Sequence, residues 1–135
     1  MEIIKGTEDF FIQDSKYVIS YLKSRKVREP TFFALLKNNT FGFIRDVTFK
    51  VDNIQYNVAY LLSCSENSGY DIVKANGNLS MVLQANEVAI GIVEGDDVIY
   101  YDNLTGGVYL FLIENGNGER LKIANTLSEF TKIFN

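Results

Sequence analysis

The residues best suited to chemistry in this sequence are four carboxylates in one short stretch, Glu94, Asp96, Asp97 and Asp102. Two facing carboxylates can hydrolyse glycosidic bonds, and clustered carboxylate oxygens can bind calcium. All four, however, lie in or beside predicted turns, where Asp is favoured because its side chain hydrogen-bonds to the local backbone. Their positions in turns therefore favour local hydrogen bonding to the backbone as their role. The functional alternative is that the carboxylates form an acidic surface that contacts a partner.

The other groups that support catalysis or metal binding are scarce. The chain contains no histidine, which removes most general bases and the commonest metal ligand. The single cysteine, Cys64, can form neither an internal disulfide nor a zinc cluster. Thr105–Gly107 could approach a phosphate, but it leads into a predicted strand and lacks a helix dipole. We therefore predict a protein that is not an enzyme and has no cofactor or metal.

The carboxylates lie on the connections of a predicted three-stranded meander. Val88–Val93, Val98–Tyr101 and Val108–Ile113 are short runs rich in β-branched and aromatic residues. Glu94–Asp97 and Asp102–Gly107 separate them with Gly, Asp and Asn, as is typical of antiparallel strands. Successive turns of a meander lie at opposite ends of the sheet. We therefore predict that one end carries the acidic patch.

A hairpin is predicted upstream of the meander. Apolar and polar residues alternate over 47–51 and again over 54–62, and Asp52-Asn53 is a two-residue loop of the kind that adopts primed turns. This loop places Val51 opposite Ile54 and Phe49 opposite Tyr56, so that the apolar residues of both strands share one face.

Helices are predicted around these strands. Asp9–Lys26 has an amphipathic pattern, and Pro30–Asn39 begins with the only proline of the chain. Tyr70–Met81 suggests a helix of one or two turns that breaks at Asn76-Gly77-Asn78. Thr126–Glu129 is a capping box before a closing helix, with the Glu carboxylate reaching the Thr126 amide. The predicted fold class is α+β, with a single twisted, mainly antiparallel sheet (hairpin plus meander) and helices packed on it.

Length and charge restrict the function further. The 135 residues predict a single domain, 1–135, with a net charge of −4. Residues 1–65 hold nine Lys/Arg and seven Asp/Glu (+2), and residues 66–135 hold four and ten (−6). An acidic half disfavours nucleic acid and suits a basic protein partner. The chain shows neither a membrane-length apolar run nor a signal-peptide pattern at its start, so a cytoplasmic location is expected.

Several motifs of the meander and the closing cap occur together in an order typical of one family. The segments are Ala89–Gly91, Glu94–Asp97, Val98–Asp102, Thr105–Tyr109 and Ile123–Phe130. In this order they resemble the C-terminal half of the SUKH superfamily, which includes fungal cell-wall assembly regulators and many bacterial immunity proteins. Pro30–Asn39 is similar to the helix of that family that carries a proline and an asparagine. The resemblance is good over 88–130 and loose over 30–70.

The resemblance implies a protein-binding domain without an active site. Its bacterial members commonly bind and neutralise a cognate polymorphic toxin, often a nuclease. Immunity is therefore one expectation for this chain, and a cytosolic regulatory adaptor or scaffold with a non-toxin partner is the other. In either case we predict that Glu94, Asp96, Asp97 and Glu114 form the acidic end that meets the partner.

Overall fold

The computed structural model describes residues 2–3, 15–27, 44–45, 47–62, 72–113 and 118–132. Three helices and eight strands lie within these ranges. They are β1 (Glu2–Ile3), α1 (Ser15–Ser24), β2 (Ile44–Arg45), β3 (Thr48–Val51), β4 (Ile54–Leu61), α2 (Ile72–Asn78), β5 (Glu87–Val93), β6 (Val98–Asp102), β7 (Val108–Leu112), β8 (Glu119–Ala124) and α3 (Leu127–Thr131).

One antiparallel sheet dominates the fold. Its six strands follow chain order, β3-β4-β5-β6-β7-β8, and each pairs with the next. The first and last strands also approach each other, so the sheet curls almost into a barrel. The pair β1-β2 forms a separate small sheet. The predicted α+β class with a hairpin and a meander is confirmed at this level, although the described helices are few and short.

The hairpin has the predicted turn and register. Asp52 and Asn53 both have positive φ angles, 52° and 67°, as a type I′ turn requires. Val51 pairs with Ile54 and Phe49 with Tyr56. The Phe49 and Tyr56 rings stack with centroids 5.5 Å apart. The turn sequence therefore sets which side chains face each other across these two strands.

The alternation predicted for the whole of 54–62 is wrong in its second half. A β-bulge between Val58 and Tyr60 shifts the register against β5. An extra residue reverses the inward and outward order of a strand, so Leu61 and Leu62 are both buried while Tyr60 is only half-buried. Ile54, predicted on the apolar face, is 56% exposed because it lies at the tip of the hairpin.

Several predicted features fall outside the described residues. These are residues 9–14 of the first predicted helix, the helix Pro30–Asn39, and Cys64. Within the described part, α1 ends close to the predicted boundary, and β8 and α3 are found where the sequence predicts a last strand and a closing helix.

The central strands of the sheet form the core. Nearly every residue of β5, β6 and β7 is buried, including neighbours whose side chains point to opposite faces. Tyr100 and Tyr109 lie opposite each other on one face with stacked rings, 5.3 Å between centroids. Strand β8 instead alternates, with Arg120 and Lys122 exposed and Leu121 half-buried. The sheet is therefore covered on both sides only at its centre.

The predicted helix of one or two turns is present as α2, which ends at Asn78 within the predicted breaking segment. Asn76 itself is helical and has a tertiary role that the sequence did not predict. This side chain is 4% exposed. Its Oδ1 accepts a hydrogen bond from the Ala89 amide at 2.7 Å, and its Nδ2 donates to the Ala89 carbonyl at 3.1 Å and to the Ile72 carbonyl at 2.7 Å. Within the described residues, β4 pairs with β5 as far as Gly91, and one further hydrogen bond joins the Leu62 amide to the Ile90 carbonyl. Asn76 thus takes the place of a strand beside Ala89.

The closing helix is capped nearly as predicted. The Thr126 hydroxyl accepts a hydrogen bond from the Glu129 amide at 3.1 Å. The Glu129 carboxylate, predicted to bond the Thr126 amide, instead accepts from the amide of Asn125 at 2.9 Å. The residue before the cap therefore receives the reciprocal bond, and the first turn of α3 is still satisfied.

We predict that Asn76→Ala lowers the free energy of unfolding by about 2–3 kcal/mol, because it leaves two buried backbone groups of Ala89 without partners. Urea unfolding would measure the loss as a lower midpoint at an unchanged slope. Asn78→Ala is the matched control, since Asn78 is exposed on the same helix. Equal midpoints for the two variants would contradict the proposed role of Asn76.

Candidate partner-binding end of the sheet

The predicted acidic patch lies where three connections meet at one end of the sheet. The hairpin loop, the turn 94–97 and Ile113, which follows β7, all lie there. Asp97 joins two of them, because its Oδ1 accepts a hydrogen bond from the Ile113 amide at 2.8 Å. Asn57 of β4 joins the hairpin to the turn, since its carbonyl accepts from the Glu94 amide at 2.8 Å. The connections are thus held together by hydrogen bonds.

The predicted site residues differ in their exposure to solvent and in their hydrogen-bond partners. Glu94 is exposed, and its carboxylate accepts one hydrogen bond from Asn57 Nδ2 at 3.0 Å. Asp97 is half-buried, and its carboxylate accepts the hydrogen bond from the Ile113 amide. Asp96 is exposed at a positive φ of 71°, and its side chain makes no hydrogen bond or ion pair within the described part of the chain. Glu114 lies outside the described residues.

Two further carboxylates at this end were missed by the sequence reasoning. Asp52 lies in the hairpin loop and Glu119 begins β8, and both are exposed. Together with Asp97 they act electrostatically on Tyr56. Burial first, and then the charges of these three acids, raise the pKa of Tyr56 above its ordinary value. The signal that could have found them is the register: a type I′ loop at 52–53 places the hairpin tip beyond the end of β5.

The acidic residues can therefore be treated as one surface. We call the acidic end the five carboxylates together with the exposed Ile54 beside them. The carboxylates are Asp52, Glu94, Asp96, Asp97 and Glu119. Charged groups around an exposed apolar side chain can steer a basic partner and then exclude water from the contact.

Asp102 belongs to the opposite end of the sheet, as the meander order predicts. Its Oδ1 accepts hydrogen bonds from the Leu104 amide at 2.8 Å and from Asn86 Nδ2 at 2.9 Å. The first of these is an Asx turn. Asp102 therefore has the local structural role that the sequence favoured.

A buried acid that the sequence reasoning missed connects distant parts of the sheet. Glu87 is 3% exposed and forms two hydrogen bonds with Arg120, at 2.8 and 2.9 Å. It also accepts a hydrogen bond from the Gln84 amide at 2.8 Å. The Arg120 guanidinium lies over the Phe111 ring, 4.6 Å from its centroid. Nothing in the alternation of β5 distinguishes this acid, so only the fold reveals the pair.

The charges of this cluster stabilise one another. Burial alone raises the pKa of Glu87, but hydrogen bonds from Arg120, the Gln84 amide and Tyr100 outweigh it and lower the pKa overall. Hydrogen bonding to Glu87 raises the pKa of Arg120. Burial, followed by the Glu87 carboxylate, raises the pKa of Tyr100, so its hydroxyl stays protonated.

The ion pair between Glu87 and Arg120 can form only in a strongly curled sheet. Arg120 lies opposite Phe111, Phe111 opposite Val98, and Val98 opposite Ile92, five residues beyond Glu87 on β5. In a flat sheet these spacings would separate the Cα atoms of the two charged residues by about 22 Å, farther than two extended side chains can reach. Twist and curl must therefore bring these diagonal corners together.

Other kinds of site were sought in the same residues. Within the described ranges, no group of three or more Cys, Asp or Glu residues could hold a metal ion. None of the helices described there is both long and apolar enough to cross a membrane. No protein-family model matches the chain, and no curated protein or solved structure matches it either.

We predict that Glu87→Gln destabilises the protein by about 2 kcal/mol at neutral pH, because it leaves Arg120 without its charge partner. The folded-state pKa of Glu87 is below its ordinary value, so the stabilisation is complete above that value and is lost as the pH falls through the folded-state pKa. The difference between wild type and variant should therefore be full well above the ordinary pKa of a glutamate and shrink as the pH falls below it.

Urea unfolding at several pH values would measure this difference. Glu119→Gln is the matched control, because Glu119 is exposed and forms no ion pair among the described residues. A difference for Glu87→Gln that stays constant from neutral to acidic pH would contradict the assignment.

Proposed function

We propose that this chain is a non-enzymatic protein-binding domain of the SUKH type, and that it acts as a bacterial immunity protein. In this proposal the acidic end contacts a basic domain of a cognate polymorphic toxin, such as a nuclease, and neutralises it. The partner is a protein, and the chain itself binds neither nucleic acid nor a membrane. Toxin and immunity protein would meet in the cytoplasm.

One observation carries the proposal, namely the convergence of carboxylates from three separate connections. Glu94 and Asp96 are exposed on one turn, and Asp52 and Glu119 come from the hairpin and from β8. Local turn chemistry explains Asp97 but does not require so many acids at one end. Complementary charge accelerates encounter and rejects wrong partners, which suits a protein that must capture a toxin quickly.

The resemblance over Val88–Phe130 supports the same proposal. The turn Glu94–Asp97, which carries much of that resemblance, also supplies part of the acidic end. The strands that hold the turn in place are the buried β5 and β6. A rigid, buried support suits recognition by a preformed surface.

A regulatory adaptor or scaffold with a non-toxin partner is the alternative, and it would use the same acidic end. The two functions differ in what the neighbouring gene encodes and in what binding does. Co-expression with the product of the adjoining open reading frame would distinguish them, with cell survival as the readout. Survival that depends on this chain supports immunity, whereas binding without any protection supports the adaptor.

We predict that the triple variant Glu94→Gln, Asp96→Asn, Glu119→Gln binds that neighbouring product about tenfold more weakly at low salt, with a smaller dependence of Kd on salt. Titration calorimetry at two salt concentrations would measure both effects. Glu129→Gln is the control, because it removes an exposed charge elsewhere and Gln keeps the capping function. Full affinity in the triple variant would exclude the acidic end from the interface.

A further inference from the structure

A groove lies at the end of the sheet opposite to the acidic end. It runs between the C-terminal end of α1 and the connection from β6 to β7, with a volume of about 320 Å³. Its lining residues come from three parts of the chain. They are Ser24–Lys26, Ala85, Asn86, Asn103 and Leu104.

Hydrogen bonds hold the walls of this groove in place. Arg25 donates to the Ala85 carbonyl from Nε at 3.1 Å and from Nη2 at 2.8 Å. Asn103 Nδ2 donates to the Arg25 carbonyl at 2.5 Å, and the Asn103 amide donates to the Asn86 carbonyl at 2.9 Å. The three lining segments are thus fastened to one another, and the groove is preformed.

The groove has an apolar rim. Leu104 is 79% exposed, although it follows an Asx turn that fixes its backbone. The side chain is therefore in contact with water and contributes little hydrophobic stabilisation to the fold. A fixed and exposed leucine beside a concave surface is suited to contact an apolar group of a partner.

The groove is also cationic. The Arg25 guanidinium bonds the carbonyls of Gln84, Ala85 and Glu87 and the Tyr21 hydroxyl, all of which are uncharged groups. Among the described residues, neither Arg25 nor Lys26 forms an ion pair with a carboxylate. Within the described residues the groove thus carries two adjacent positive charges. One carboxylate lies beside them, that of Asp102, which accepts hydrogen bonds from the lining residues Asn86 and Leu104.

Lys26, at the end of α1, has a backbone conformation that is unfavourable for a lysine. The amides of Lys26 and Val27 bond the carbonyls of Lys23 and Leu22, each at 2.9 Å, which is a Schellman motif. In this motif Lys26 has a φ of 61°, where glycine is favoured. A residue held at an unfavourable backbone angle can mark a functional position.

We propose that this groove binds an acidic peptide segment of a partner protein, with an apolar side chain of the segment against Leu104 and its carboxylates on Arg25 and Lys26. The site is independent of the proposed immunity function, since it uses other residues at the other end of the strands. The positive charge favours an anionic partner, and the concave shape favours a peptide over a flat lipid surface, which would leave the groove unfilled.

The test begins with selection of random twelve-residue peptides by display on the full chain at low salt. We expect the selected peptides to carry acidic residues around a leucine, methionine or phenylalanine. A synthetic selected peptide would then be titrated by fluorescence anisotropy. Binding should weaken with added salt, because the exposed charges are screened.

Two variants and one control link the binding to the groove. Leu104→Ser and Lys26→Gly should each weaken peptide binding at least tenfold, and Met81→Ser should not, since Met81 is 91% exposed but does not line the groove. Lys26→Gly should also raise Tm, because glycine relieves the positive φ. Lower affinity in a more stable protein cannot be caused by misfolding.

Four results would overturn the proposal. The first is selection of peptides without acidic residues, or of none at all. The second is unchanged affinity in Leu104→Ser and Lys26→Gly. The third is binding to phosphatidylserine vesicles that both variants lose, which would assign the surface to a membrane. The fourth is self-association, measured by light scattering, that Leu104→Ser abolishes, which would assign the groove to a second copy of the chain.

Discussion

The ion pair between Glu87 and Arg120 is the contact on which the shape of the sheet depends. It joins the beginning of β5 to the last strand of the sheet, and Tyr100 and Phe111 complete the cluster between them. Only the Glu87 carboxylate of this pair is buried, and breaking the pair leaves that buried position or its cation without a charge partner. Its value lies in specificity, because only the curled sheet brings the two groups together.

Asn76 imposes a second constraint on the same strand. Its carboxamide hydrogen-bonds both the amide and the carbonyl of Ala89, beyond the last described pair between β4 and β5. Strand β5 is therefore held by a side chain near its beginning and by a full ladder near its end. These contacts fix α2 and the connection after it against the sheet, which also positions Ala85 and Asn86 in the groove.

The two ends of the strands consequently differ in chemistry. At one end three connections expose Asp52, Glu94, Asp96 and Glu119 around Ile54. At the other end the Asp102 carboxylate accepts hydrogen bonds from Asn86 and from the Leu104 amide. Arg25 and Lys26 carry positive charge beside Leu104. A partner approaching either end meets side chains that are supported by the buried strands β5 and β6. One small sheet can thus present two dissimilar surfaces, each with its own proposed partner.

The sequence by itself determined the local structure: the type I′ loop at Asp52-Asn53, the meander with its turns at 94–97 and 102–107, and the Thr126 cap. Each depends on residues close together in the chain, where backbone preference and alternation decide. Only the tertiary structure decided the bulge after Val58, the role of Asn76, and the meeting of Glu87 with Arg120. Only the tertiary structure, likewise, brings the charges of Asp52 and Glu119 to act together on Tyr56. These features depend on contacts between residues far apart in the chain, and a local pattern carries no information about the curl that brings them together.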